Sequence, residues 1–191
     1  RMRLNLAALY DEYDNVQRQI VVGGGSTTLV TNAASATLYG VELESTLLLT
    51  DALTVTASVG YLHAKYDEFT DFSGDRSDED WPAPEWQYSV AAEYRVPVAV
   101  GEAALQLNYQ GQSAQNLYPS GLYDLLTQSS YGVLNGALRL RLDEHAIDFA
   151  LYGRNLTNEH YFVSGIPLDA LGYSMANLGA PRTYGVEFTA R

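Results

Sequence analysis

The sequence predicts an all-β protein, an antiparallel up-and-down meander of about eight strands belonging to a transmembrane β-barrel. Three observations predict it. Side-chain character alternates with a period of two along most of the chain, which puts apolar residues on one face of each strand and polar residues on the other. The connections between these segments switch regularly between short and long. Finally, no apolar run reaches the ~20 residues that a membrane helix needs, whereas a barrel crosses with strands of only ~9–11 residues, half of them polar.

The stretch LTVTASVGYLHAKY, residues 53–66, shows the alternation plainly: Leu53, Val55, Ala57, Val59 and Tyr61 against Thr54, Thr56, Ser58 and Gly60. The same reading places strands at about 2–13, 35–49, 53–67, 86–98, 103–116, 130–142, 146–156 and 182–191. One face collects Leu4, Leu6, Val41, Leu43, Val90, Leu105, Leu138, Phe149, Leu151, Val186 and Phe188. The other collects Glu42, Glu44, Glu93, Arg95, Arg139, Arg141, Asp148, Arg154 and Glu187. No charge falls in the middle of the apolar face, where one would cost ~2–4 kcal/mol against lipid. The nine charged residues are therefore expected to line a lumen. A water-exposed sheet would favour lysine, and Lys65 is the sole lysine.

Short connections are TDAL (50–53), AVGE (99–102) and DEHA (143–146); long ones fall at about 14–34, 68–85, 117–129 and 157–181. Bacterial outer-membrane barrels have this rhythm of short inner turns and long outer loops. If DEHA is a four-residue turn, Leu142 faces Ile147 and Arg141 faces Asp148. The same geometry at AVGE sets Glu93 opposite Asn108 and Arg95 opposite Gln106. The one candidate helical turn is LYDLLTQ, residues 122–128.

Composition narrows the function. The 191 residues carry a net charge of −12, which excludes nucleic acid as a natural partner because phosphate binding needs a basic surface. There is no cysteine, hence no disulfide or thiolate metal site. Tyrosine is abundant at 15 residues, as in the aromatic girdles of membrane barrels. The chain opens Arg1-Met2-Arg3 directly on a strand pattern with no signal peptide, so a removed leader or an internal fragment is expected.

Several segments resemble TonB-dependent outer-membrane receptors. ALYGRNLTNEHY (150–161) is similar to their penultimate strand and GAPRTYGVEFTAR (179–191) to their last. ATLYGVELEST (36–46) resembles their Gly-x-Glu-x-Glu strand, and WPAPEWQYSVAAEY (81–94) their re-entry from a long loop. The resemblance implies the C-terminal part, residues 1–191, of a plugged barrel of about 22 strands. It also implies outer-membrane location, lipid and lipopolysaccharide around the wall, and energy-coupled uptake of a scarce nutrient such as a ferric siderophore. TonB would act through a plug domain that this sequence does not contain. The family usually ends on an aromatic residue, whereas this chain stops at Arg191. The alternative is a self-contained eight-stranded barrel with a structural, adhesive or hydrolase role.

Candidate ligand contacts are the loop aromatics Tyr118, Tyr123, Tyr173 and Trp81, with Trp81 and Trp86 also fitting a headgroup girdle. No catalytic residue, cofactor or metal ligand is expected. The acidic loop 67–80 lacks the glycine and glutamate spacing of a twelve-residue calcium loop, and His63, His145 and His160 are scattered. The hydrolase alternative would use His63 with Asp67 or Glu68. Asn155-Leu156-Thr157 formally matches a glycosylation acceptor, but at a strand end it is expected to hold backbone groups.

Overall fold

The computed structural model describes residues 1–22, 27–71, 74–118, 126–142, 144, 147–168 and 171–190. The strands are β1 (Met2–Val22), β2 (Thr27–Leu48), β3 (Leu53–Asp71), β4 (Gly74–Asp75), β5 (Trp86–Val98), β6 (Gly101–Gln112), β7 (Gln115–Asn116), β8 (Thr127–Gln128), β9 (Tyr131–Leu142), β10 (Ile147–Arg154), β11 (Phe162–Leu168), β12 (Tyr173–Leu178) and β13 (Thr183–Ala190). Eight of them form one sheet in the order β1-β2-β3-β5-β6-β9-β10-β13, each antiparallel to the next. These are the eight expected strands in the expected meander. Among the described residues β1 and β13 do not pair with each other, so the sheet is open.

The register sorts the two faces. Cross-strand partners share a face, so tiers can be followed around the wall. One tier runs Leu48, Thr54, Glu93, Gln106, Ala137, Tyr152 and Gly185. The next, toward the short turns, holds Arg95, Ala104, Arg139, Ala150 and Glu187. The opposite face carries Leu6, Val41, Val90, Leu105, Leu107, Leu138, Leu151, Val186 and Phe188, all exposed. An apolar surface of that extent on a monomeric sheet has to be covered by something other than water; lipid does this for a barrel wall. Aromatics cluster toward the long-loop end of the same face: Tyr10 pairs with Tyr39, and the ring of Trp86 lies 4.7 Å from that of Tyr61. Tyr88 and Tyr109 belong to this group, each lying over a glycine, Gly111 and Gly132, where any Cβ would collide with the phenol.

The turn at 143–146 places Leu142 opposite Ile147 and Arg141 opposite Asp148, as the loop length requires. The turn at 99–102 is tighter than expected. Val98 pairs with Gly101, leaving only Ala99 and Val100 to reverse the chain. Consequently Glu93 faces Gln106, not Asn108, and Arg95 faces Ala104, not Gln106. Gly101 makes this possible: its φ of 149° is open to glycine but not to residues with a Cβ. At the third turn Thr50 Oγ1 accepts hydrogen bonds from the amides of Ala52 (3.2 Å) and Leu53 (3.0 Å).

Two expected loops are more ordered than predicted. Most of 14–34 continues β1 and β2 as a long hairpin, paired out to Val22 and Thr27. Where the loop was expected to begin, at about residue 14, β1 carries a bulge, with Asn15 at a φ of 58°, which asparagine tolerates. Loop 157–181 contains the β11–β12 hairpin. Of the helical turn expected over 122–128, Leu126 is in 3₁₀ conformation, whereas Thr127 and Gln128 pair as strand with Asn116 and Gln115; residues 122–125 lie outside the described ones.

Leu138 is 52% exposed in the middle of β9. We expect Leu138→Arg to destabilise the barrel by about 2–4 kcal/mol in a bilayer, and arginine at inward Gln110 to cost far less. Denaturant titration of the full-length protein in lipid vesicles, followed by gel mobility of the folded form, reads the difference.

Candidate functional site

The inward face is built by alternation alone, and the register puts the nine charged residues expected to line a lumen on one side of the sheet, opposite the apolar band. Three strands, β5, β6 and β9, contribute a chain of charges near the short turns. Glu93 accepts from Arg95 Nε and from Gln106 Nε2. Arg95 also lies 4.0 Å from Glu102, and Arg141 reaches the same Glu102 oxygen at 3.7 Å. Glu102 is a member that sequence reading missed. It was assigned to the AVGE turn, and only the tighter turn returns it to β6, facing Arg141. These pairs are partly exposed and contribute little stability singly. Glu44 accepts from Asn5 Nδ2 at 3.2 Å, and the guanidinium of Arg154 lies 5.4 Å from the Tyr152 ring centre. Glu42, Arg139 and Glu187 make no hydrogen bond or ion pair among the described residues. Beside this network the curved wall encloses a hollow of about 680 Å³, lined by Thr56, Glu93, Asn108, Arg139 and Arg154 among others.

At the long-loop end the inward face changes character. Ala34, Ala36, Tyr66 and Phe69 are buried together, with Val16, Leu38 and Trp81 packed against them. Small residues on β2 leave room for Tyr66 and for the incoming Trp81, whose ring centres stand 5.1 Å apart. The guanidinium of Arg18 sits 4.3 Å from the Trp81 ring. Arg76 pairs with Glu79, and the Asp75 carboxylate, accepting from the Ser77 amide at 3.0 Å, is held below its ordinary pKa by that hydrogen bond. Segment 76–85 thus folds inward over the mouth, so Trp81 belongs to the mouth and Trp86 to the outer aromatic belt.

Neighbouring loops are tied to it. Asn116 Nδ2 donates to Asp80 Oδ2 at 3.0 Å, and Thr127 Oγ1 donates to Asn116 Oδ1 at 2.8 Å. Buried Gln128 accepts from the Phe162 amide at 2.6 Å, and Tyr131 stacks on Tyr161 at 4.4 Å. Of the other loop aromatics, Tyr173 is half exposed opposite Leu168 in the β11–β12 hairpin, Tyr118 is partly buried, and Tyr123 lies outside the described residues.

Asn155 ties strand to loop. It is 3% exposed with a φ of 49°. Its side chain accepts from the Glu159 amide (2.7 Å) and donates to the Glu159 and Ala180 carbonyls (2.9 and 3.0 Å). Its own amide donates to Asn135 Oδ1 at 3.0 Å. Leu156 N meets Leu134 O at 2.7 Å. Asn155-Leu156-Thr157 therefore holds backbone groups, and Asn155 is too buried to act as a glycan acceptor.

Among the described residues no three of His, Cys, Asp and Glu are arranged to hold a metal. His63 lies 3.8 Å from Glu85, while Asp67 accepts from Thr37 at 2.7 Å. His160 contacts Asn158, and His145 is outside the described residues.

The family model for TonB-dependent receptor-like β-barrels matches residues 1–156. The chain belongs to the TonB-dependent receptor β-barrel family. These proteins are outer-membrane receptors that transport rather than catalyse. Solved structures of such receptors superpose on nearly the whole chain. The ferric yersiniabactin uptake receptor FyuA from Yersinia pestis is 18% identical with a TM-score of 0.79, over 98% of this chain and 27% of its own. The ferric-catecholate import receptor Fiu from E. coli is 21% identical with a TM-score of 0.71, over 98% of this chain and 25% of its own. The ferripyoverdine receptor of the Pseudomonas aeruginosa outer membrane gives 16% and 0.65, over 98% and 24%. At these identities the likeness concerns the fold. The chain spans about a quarter of these receptors' length. No curated protein matches it. Strand β13 lies beyond the family match but pairs along its whole length with β10.

Asn155→Ala removes a tie that satisfies three backbone groups where strand meets loop and strains a left-handed position. We expect this receptor segment to lose about 2–4 kcal/mol. Asn155→Gly should recover only the part due to backbone strain, as read by denaturant midpoints of the full-length barrel.

Proposed function

We propose that residues 1–191 form the C-terminal wall of an outer-membrane receptor that imports a scarce nutrient, a ferric siderophore first among the options, with energy supplied by TonB through a plug domain. The observation that carries this reading is a single sheet with an uncharged apolar band outward and a charged face inward. That arrangement suits lipid and lipopolysaccharide on one side and a filled lumen on the other. The printed ligands of the neighbouring receptors support the siderophore as substrate.

In this reading the long loops capture ligand, with Trp81 and Tyr173 among the contacts. The wall provides no chemistry. The Glu93–Arg95–Glu102–Arg141 chain serves the wall itself, while Glu42, Arg139 and Glu187, which have no partner in it, face the plug. The alternative of a self-contained eight-stranded barrel is weakened by the open sheet, whose ends β1 and β13 do not meet.

The test is radioactive iron uptake in iron-starved cells. Deleting the gene should abolish uptake of one ferric siderophore. Removing TonB should abolish uptake too, while leaving binding of that siderophore to the cells intact. Uptake that persists without TonB sinks the reading.

A further inference from the structure

The outer loops follow strand order around the rim, and each is fastened to the one before. Asp80 in segment 76–85 accepts from Asn116 of β7, and Gln128 of β8 accepts from the Phe162 amide of β11. The β11–β12 hairpin packs one face back along this series. A Cβ at Gly165 would stand 2.7 Å from Leu126 and 3.5 Å from Leu117, and Pro167 on the same face is fully buried.

The other face of the hairpin is open among the described residues. Alternation puts Ile166, Leu168, Tyr173 and Met175 there, as the cross-strand pairs Ile166–Met175 and Leu168–Tyr173. Ile166 is 47% and Met175 52% exposed. The segment is not composed for water. Residues 162–178 carry one charge, Asp169, whereas the outer segment 67–80 carries seven carboxylates. An apolar strip among so few charges calls for a cover.

Position identifies the cover. The hairpin is seated on the loop residues Leu117 and Leu126, past the aromatic belt that marks the edge of the hydrocarbon, so acyl chains do not reach it. Its open face is turned away from β7–β8, and so along the rim to the next loop, on the far side of β13. There β13 has an edge that is unpaired among the described residues. The chain spans about a quarter of the receptors it superposes on, so the wall continues from that edge with strands it does not contain. In an up-and-down barrel the last strand meets the first at closure.

We propose that the Ile166–Met175 face is the docking surface for the outer loop joining the first two strands of the full-length barrel, through an uncharged stretch of that loop with aliphatic or aromatic side chains. The inference rests on the receptor reading and adds a seam that closes the loop layer into a ring.

Met175 is the natural probe, because hydrogen peroxide converts an accessible methionine to its sulfoxide. In the folded full-length receptor Met175 should oxidise at least about tenfold more slowly than in the urea-unfolded chain, read by peptide mass spectrometry. Replacing the first outer loop by a two-residue turn should restore the fast rate, with gel mobility confirming that the shortened receptor is folded. A benzophenone amino acid in place of Ile166 keeps the test decisive if that receptor does not fold: irradiation should join it to a peptide from the first outer loop. Fast oxidation of Met175 in the intact receptor overturns the proposal. So does protection that persists without the loop, which assigns the cover to lipid or to another protein. So does a benzophenone that reacts elsewhere or not at all. TonB-dependent uptake by the same strains separates the two readings. Preserved uptake with an open Met175 removes the seam alone, and a protected Met175 with uptake that ignores TonB removes the transport reading alone.

Discussion

Every backbone amide and carbonyl that enters hydrocarbon has to find its partner inside the protein, because lipid offers none. The rest of this structure depends on that constraint. It favours a continuous antiparallel ladder over any looser packing, and the ladder fixes which residues share a face. Once Leu138 lies opposite Leu105 and Leu151, Arg139 has no option but to point inward. The chain needs no conventional core in its spanning part, and few of its large side chains are fully buried there. Burial instead concentrates where the strands rise beyond the aromatic belt and loops fold over them, around Tyr66 and Phe69.

Period-two alternation made the wall legible in the sequence residue by residue, since a strand that slipped by one would turn every charge toward lipid. Arg141 and Asp148 could be paired in advance because the turn between them had ordinary length. Glu93 could not be paired correctly, and Glu102 could not be found, because one glycine with an unusual φ shortened the turn before β6 by two residues. That shift of two preserves the face, so it escapes any test based on alternation. The β1–β2 extension was hidden in a similar way: a single bulge at Asn15 mimics the end of a strand. Trp81 carries no local signal of its destination. Its inward position follows from alanines at 34 and 36, which are distant in sequence and become neighbours only across β2 and β3.

The inward charges divide by what they touch. Those in the chain from Glu93 to Arg141 restrain one another along the wall, while Arg139 and Glu187 make no ion pair among the described residues and flank β10 in one tier. A surface of that kind is partly finished: rigid where its own strands cross-brace it and open where a second body can settle. The mouth is arranged differently. Arg18 against Trp81, Asp80 with Asn116, and Gln128 with Phe162 link one loop to the next, so the loop layer is a connected roof and not a set of independent arms.

The tie at Asn155 has a consequence for how such a molecule can change over evolutionary time. It fastens β10 to β9 and to the approach of β13 at the very level where the loop departs. Insertions, deletions and new hairpins between 160 and 178 begin and end beyond that clasp, and their strain stops there. The wall can therefore keep its register while the outward segment drifts toward new cargo. One buried amide acts as a firebreak between the part of the chain that must stay constant and the part free to experiment.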